Sequence, residues 1–101
     1  MSDFGLTGDV LQQICALIAN HKSIQRAVIF GSRAKGNYKK YSDIDICLYG
    51  EIDPNEAELI RSGLSELDVI YNFDVAAFNG IKNEELKEHI SRCGVEFYSR
   101  T

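Results

Sequence analysis

The run Ala27 to Tyr49, AVIFGSRAKGNYKKYSDIDICLY, decides how the rest of the chain is read. Its opening residues Val28, Ile29 and Phe30 are β-branched and aromatic and stop at Gly31, as a buried strand does at its end. A turn must follow. Gly31 lets the backbone approach a ligand with no Cβ in the way, and Ser32 adds a hydroxyl beside a backbone N–H. A short helix opening there would aim free N–H groups and its dipole at an anion. In SDIDICLY the side chains alternate, so Asp43 and Asp45 share one face of a strand while Ile44, Ile46 and Leu48 share the other. One face is core; the other carries two carboxylates. Such a pair repels itself and raises one pKa unless a cation intervenes, and hard oxygen ligands suit Mg²⁺ held jointly with substrate phosphates. The run predicts a phosphate-and-metal site.

Between the turn and Asp43 stand Arg33, Lys35, Lys39 and Lys40, four positive charges in a chain that is acidic as a whole. For Lys39 and Lys40 the ordinary reading is a solvated loop. Arg33 lies one residue past the Gly-Ser pair, and a guanidinium presents phosphate oxygens with a planar fork that Lys lacks. Ser42 is placed either to hydrogen-bond a carboxylate or to cap the strand.

Gly31-Ser32, ten intervening residues and Asp43-Ile44-Asp45 resemble the signature of the DNA polymerase β-like nucleotidyltransferase superfamily. Four fixed residue types at ordinary usage would match by chance in so short a chain on the order of one time in a thousand. The superfamily pattern expects a third carboxylate on a later strand, and Asp74 in Phe73-Asp74-Val75-Ala76-Ala77-Phe78 can supply it. Asp74 faces away from Phe73, Val75 and Ala77, so it joins the other two only if its strand lies beside theirs. Chain length and the C-terminal FDVAAFNGIKNEELKEHISRCGVEFY resemble the minimal nucleotidyltransferases, the MNT proteins, over nearly the whole chain.

With 101 residues, 45% of them hydrophobic, the chain makes one domain with a single core, residues 1–101. Net charge is −4, from 15 acidic and 11 basic residues, which argues against an extended nucleic-acid surface. Cys15, Cys47 and Cys93 are odd in number and widely spaced, with no signal peptide ahead of them, so reduced thiols in a cytoplasmic protein are expected. No apolar run approaches the roughly 20 residues of a membrane span.

The remaining segments read as scaffold. Val10, Leu11, Ile14, Leu17 and Ile18 form a helical stripe, with Thr7 as N-cap and Asp9 in the first turn; His21, beyond its end, reads as an exposed residue without a chemical role. Asp53-Pro54-Asn55-Glu56 reads as a helix start, with Asp53 as N-cap, Pro54 at the first position and Glu56 closing a capping box. Ala57, Ile60, Leu64 and Leu67 form its buried stripe, which Gly63 weakens slightly. A helix near Asn83 to Arg92 presents Leu86 and Ile90 to the core and stops at Gly94, and Val95 to Tyr98 form a short strand.

The expected fold is α/β, a small mixed sheet packed with helices. By resemblance the order is helix, strand, short helix, strand, helix, strand, helix and an edge strand. The resemblance also implies a chemistry: Gly31, Ser32 and Arg33 hold the outer phosphates of a nucleoside triphosphate, most simply ATP. Asp43, Asp45 and Asp74 hold Mg²⁺, two ions, with Mn²⁺ as a substitute, and AMP passes to a hydroxyl. Family members of this size work with a separately encoded helical partner of the HEPN class, the antitoxin and toxin of a pair, the acceptor being a tyrosine of the toxin. An enzyme acting on a small molecule such as an aminoglycoside, and a non-catalytic nucleotide-binding subunit, are the alternatives; homo-oligomers are left open.

Overall fold

The computed structural model describes residues 6, 8–36, 43–67 and 69–100. The expected cap Thr7, the loop residues Lys39, Lys40 and Ser42, and the side chains of Ser32 and Lys35 lie outside the described ones. Helix α1 spans Gly8–Ala19, strand β1 Ile24–Phe30, helix α2 Ser32–Lys35 and strand β2 Ile44–Gly50. Helix α3 spans Pro54–Ser65 and strand β3 Phe73–Ala77; a 3₁₀ turn, Phe78–Gly80, leads to helix α4, Glu84–Cys93, and strand β4, Val95–Ser99. The expected order of elements is found, with the 3₁₀ turn added. No described helix is long and apolar enough to cross a membrane.

Four strands form one mixed sheet in the order β3-β2-β1-β4. β1 is antiparallel to both β2 and β4, whereas β2 and β3 are parallel and joined through α3, because a parallel pair needs a crossover. Alternation then separates two apolar clusters. Ala27, Ile29, Ile44, Ile46, Leu48 and Val75 face Ile14 and Ile18 of α1 and Ile60 and Leu64 of α3. Val28 and Cys47 point the other way and pack with Ile90 of α4, next to Phe30, Tyr49, Phe78 and Ile81. The second face is covered only in part, and the carboxylates lie on it.

Gly63 does more than weaken α3. A Cβ built there would come within 2.9 Å of Leu17 Cδ1, so the missing side chain is what lets α1 and α3 pack this closely.

Three local expectations are corrected. Asp53 does cap α3, accepting from the Asn55 N–H at 2.7 Å, but Glu56 does not turn back to close a box. Its carboxylate instead accepts from the Ser23 hydroxyl and stands 3.2 Å from His21 Nδ1. The reason is tertiary: the turn between α1 and β1 brings stronger partners than the chain's own backbone N–H. His21 is accordingly half-buried and paired. Leu86, expected in the core, is 36% exposed. Helix α4 meets the sheet through Ile90, which packs with Val28 and Cys47, and the Lys87 ammonium stands 5.3 Å from the centroid of the Phe78 ring in the 3₁₀ turn.

The Ser23 hydroxyl, and secondarily His21, hold the Glu56 carboxyl below its ordinary range. A depressed carboxyl stabilises the fold above its unfolded pKa and loses that contribution as pH falls through the folded value. Glu56→Gln should therefore lower Tm at neutral pH, and the gap from wild type should close once the pH is below the folded value. Paired thermal melts from pH 7 to pH 3 measure it; a gap that persists unchanged in acid would remove the carboxylate from the account.

Candidate active site

β1 ends at Phe30, and the chain turns at Gly31 with φ of 76° before the four-residue helix α2 opens at Ser32. An L-residue with a side chain is strained at that φ. A Cβ on Gly31 would also meet the Asp45 carboxylate, which would have to move aside. The Gly-Ser turn thus sits directly against the second carboxylate of the Asp-Ile-Asp run.

Strand pairing explains the juxtaposition. Asp45 pairs with Phe30 across the antiparallel ladder and with Asp74 across the parallel one. Residues in register share a face, so Asp45 and Asp74 point to the same side of the sheet. Asp43 lies just before β2, exposed; Asp74 is exposed, and Asp45 is half-buried between its neighbours. Burial first, then the charge of Asp74, then that of Asp43, push the Asp45 carboxyl above its ordinary value. Asp43 and Asp74 are therefore both close enough to act on Asp45.

The donor set that the three carboxylates offer is the hard-oxygen type that suits Mg²⁺ or Mn²⁺. Among the described residues no three metal-ligating side chains are drawn in around a single point. The chemistry of the donors fits an ion shared with a ligand.

Arg33, expected to offer its planar fork to phosphate oxygens, is 1% exposed, with the guanidinium 4.8 Å from the centroid of the Tyr71 ring. Tyr71 itself was missed by sequence reasoning: it precedes β3 by two residues, and no local pattern ties it to α2. Cys47 lies two residues beyond Asp45, and burial pushes its thiol up to about 12, so it is no nucleophile at neutral pH. At the β3 edge a concavity of about 360 Å³ is lined by Arg61, Ser62, Tyr71 and Asn72 among others, and not by the carboxylates. Arg61 borders it, donating to the Val75 carbonyl at 2.8 Å and pairing with Glu58 at 2.9 Å.

The family model described as Polymerase beta, Nucleotidyltransferase matches residues 12–101. The chain belongs to this nucleotidyltransferase family. No curated protein sequence matches it. Among solved structures, the nucleotidyltransferase fold found here is similar to a chain of a toxin–antitoxin complex with AMP-PNP. That similarity has a TM-score of 0.73 at 21% identity, covering 89% of this chain and 73% of the other. It is similar to a chain of the toxin–antitoxin MntA-HepT, with a TM-score of 0.69 at 18% identity, covering 93% and 74%. A third likeness, with a TM-score of 0.67 at 20% identity, covering 90% and 71%, is to a chain of the tri-AMPylated Shewanella oneidensis HEPN toxin in complex with MNT antitoxin. At these identities the likeness establishes the shared fold.

Two outcomes follow from the site's electrostatics and geometry. A carboxyl whose folded pKa is raised withdraws stability as pH climbs from its unfolded value to the folded one. In metal-free buffer at neutral pH, Asp45→Asn should thus leave Tm unchanged or raise it, and the advantage should vanish in acid. Melts of Asp43→Asn, Asp45→Asn and Asp74→Asn in EDTA test this; a loss of several degrees in all three would make them supports of the fold. Gly31→Ala, by contrast, should lose about 1–2 kcal/mol, since both its φ and the Asp45 carboxylate oppose a Cβ. Urea unfolding measures that loss.

Proposed function

We propose that this chain is a minimal nucleotidyltransferase that transfers AMP from ATP to a hydroxyl, the acceptor being a tyrosine of a HEPN-type helical partner. The observation that carries the proposal is the placing of Asp45, with the Gly31 turn against it and Asp74 in register beside it. A phosphate-binding turn and a cluster of carboxylates in contact are what an α-phosphate between two negative groups requires.

The turn at Gly31 and Ser32 receives the outer phosphates. Arg33 lies behind that turn, and a buried positive charge acts at short range through a medium less polarisable than water. Asp43, Asp45 and Asp74 would hold Mg²⁺, or Mn²⁺ in its place, as a pair of ions. When bound, the ions neutralise charge on the α-phosphate and the leaving oxygens and make the acceptor hydroxyl easier to deprotonate. Asp74, exposed at the rim, is placed to aim the acceptor hydroxyl and take its proton. The acceptor oxygen then bonds to the α-phosphorus, the bond to the bridging oxygen breaks, and pyrophosphate departs. No covalent enzyme intermediate is needed.

Support for AMP and for the partner comes from the structural relatives. One is bound to AMP-PNP as part of a toxin–antitoxin complex, and another is a complex of an MNT antitoxin with a HEPN toxin that carries three AMP groups. A chain net-negative by four charges is also poorly suited to free nucleic acid as its acceptor.

Incubation with labelled ATP and Mg²⁺, alone and with the product of the adjacent gene, should add AMP-sized mass to the partner. Asp43→Asn, Asp45→Asn and Asp74→Asn should each cut that transfer by about 100-fold or more, and excess chelator should abolish it. Label on a small hydroxylated compound or an RNA end, with the partner unmodified, would replace the acceptor. Wild-type turnover in any of the three variants would remove the catalytic assignment of that residue.

A further inference from the structure

We infer that Arg33 and Tyr71 form a positioning pair, locking the Gly-Ser turn to the strand that carries the third carboxylate and so holding Asp74 beside Asp45. The inference rests on the proposed nucleotidyltransferase reading for what the positioned carboxylate does, and on geometry alone for the positioning.

Arg33 is the one charged side chain among the described residues that is buried. A guanidinium meant only to grip a ligand would be kept at the surface, because its removal from water is unfavourable unless something inside the fold compensates. The face of an aromatic ring is such a compensation, and 4.8 Å from guanidinium carbon to ring centroid lies within the range where a cation and a ring attract. Arg33 is two residues past Gly31. Tyr71 is three residues before Asp74 and packs against the main core cluster. The contact therefore joins the two segments between which Asp45 stands.

The junction is also where strand register is set. The Ile44 N–H donates to the Asn72 carbonyl at 2.9 Å, the first rung between the β2 and β3 segments. Ile44 lies between Asp43 and Asp45, and Asn72 lies between Tyr71 and Phe73. A slip of one residue at this rung would turn Asp74 to the opposite face of the sheet. β3 is an edge strand, with β2 as its one strand neighbour, so register there depends on what anchors its start. Tyr71 held under Arg33 is that anchor. A lysine would keep the charge and lose the flat stacking surface, which is why arginine stands here.

The test uses two readouts on the full chain: Mn²⁺ affinity by electron paramagnetic resonance with a non-hydrolysable ATP analogue present, and hydrogen exchange at the Ile44 amide. Tyr71→Phe keeps the ring and should match wild type within about twofold in both. Tyr71→Leu keeps apolar volume without a ring face; it and Arg33→Lys should weaken Mn²⁺ binding about tenfold and speed Ile44 exchange about tenfold. Exchange at Ile46 and Val28 should stay as in wild type. The double variant should be no worse than either single one, as coupled residues require. Unchanged Ile44 exchange in both Tyr71→Leu and Arg33→Lys would overturn the inference, as would strictly additive effects. Uniformly faster exchange at Ile44, Ile46 and Val28 would overturn it in favour of general core loosening. Should wild type fail to bind Mn²⁺, the nucleotidyltransferase reading falls, and the Ile44 amide still decides the positioning.

Discussion

Register across three strands decides where the side chains of the candidate site stand. Phe30, Asp45 and Asp74 stand side by side on β1, β2 and β3. Because a strand alternates its side chains, that single alignment puts both carboxylates on the partly open face and the isoleucines of β2 into the core. It also brings the turn that ends β1 against Asp45, at a φ that favours glycine. Turn, carboxylates and core are thus consequences of one pairing, and a change in any of them is felt by the others.

The same pairing concentrates negative charge where the fold can least relieve it. Asp45 is half-buried and flanked by two further carboxylates, and its ionisation is opposed by all three circumstances. Such strain is common at functional sites, where the rest of the structure supplies the stability that the site gives up. Here that support comes from the apolar cluster beneath β2 and from contacts remote from the site. Gly63 lets α3 press against Leu17 of α1, and Glu56 fastens the start of α3 to Ser23 and His21. These contacts hold the crossover between β2 and β3, and hence the parallel register on which Asp74 depends.

Arg33 links the two themes. It is buried two residues past Gly31, with its guanidinium beside the Tyr71 ring. A residue in a ligand-binding signature can act through architecture as well as through contact. The concavity at the β3 edge has Tyr71 and Asn72 in its wall.

Much of this was legible in the sequence because it is governed by short-range rules. The end of β1 at Gly31, the alternation through SDIDICLY, the Asp53-Pro54 helix start and the apolar stripes of α1 and α3 all follow from side-chain periodicity and backbone preference. The Gly-Ser and Asp-Ile-Asp spacing pointed to the family that the match over residues 12–101 establishes. What the sequence could not settle were choices between partners distant along the chain. Glu56 had a backbone N–H within reach and took Ser23 and His21; Arg33 is buried with its guanidinium beside Tyr71; Leu86 stays at the surface while Ile90 is buried. Local periodicity determines which residues could point inward together. Which of them meet is decided by packing in three dimensions, where the partner that best replaces water wins.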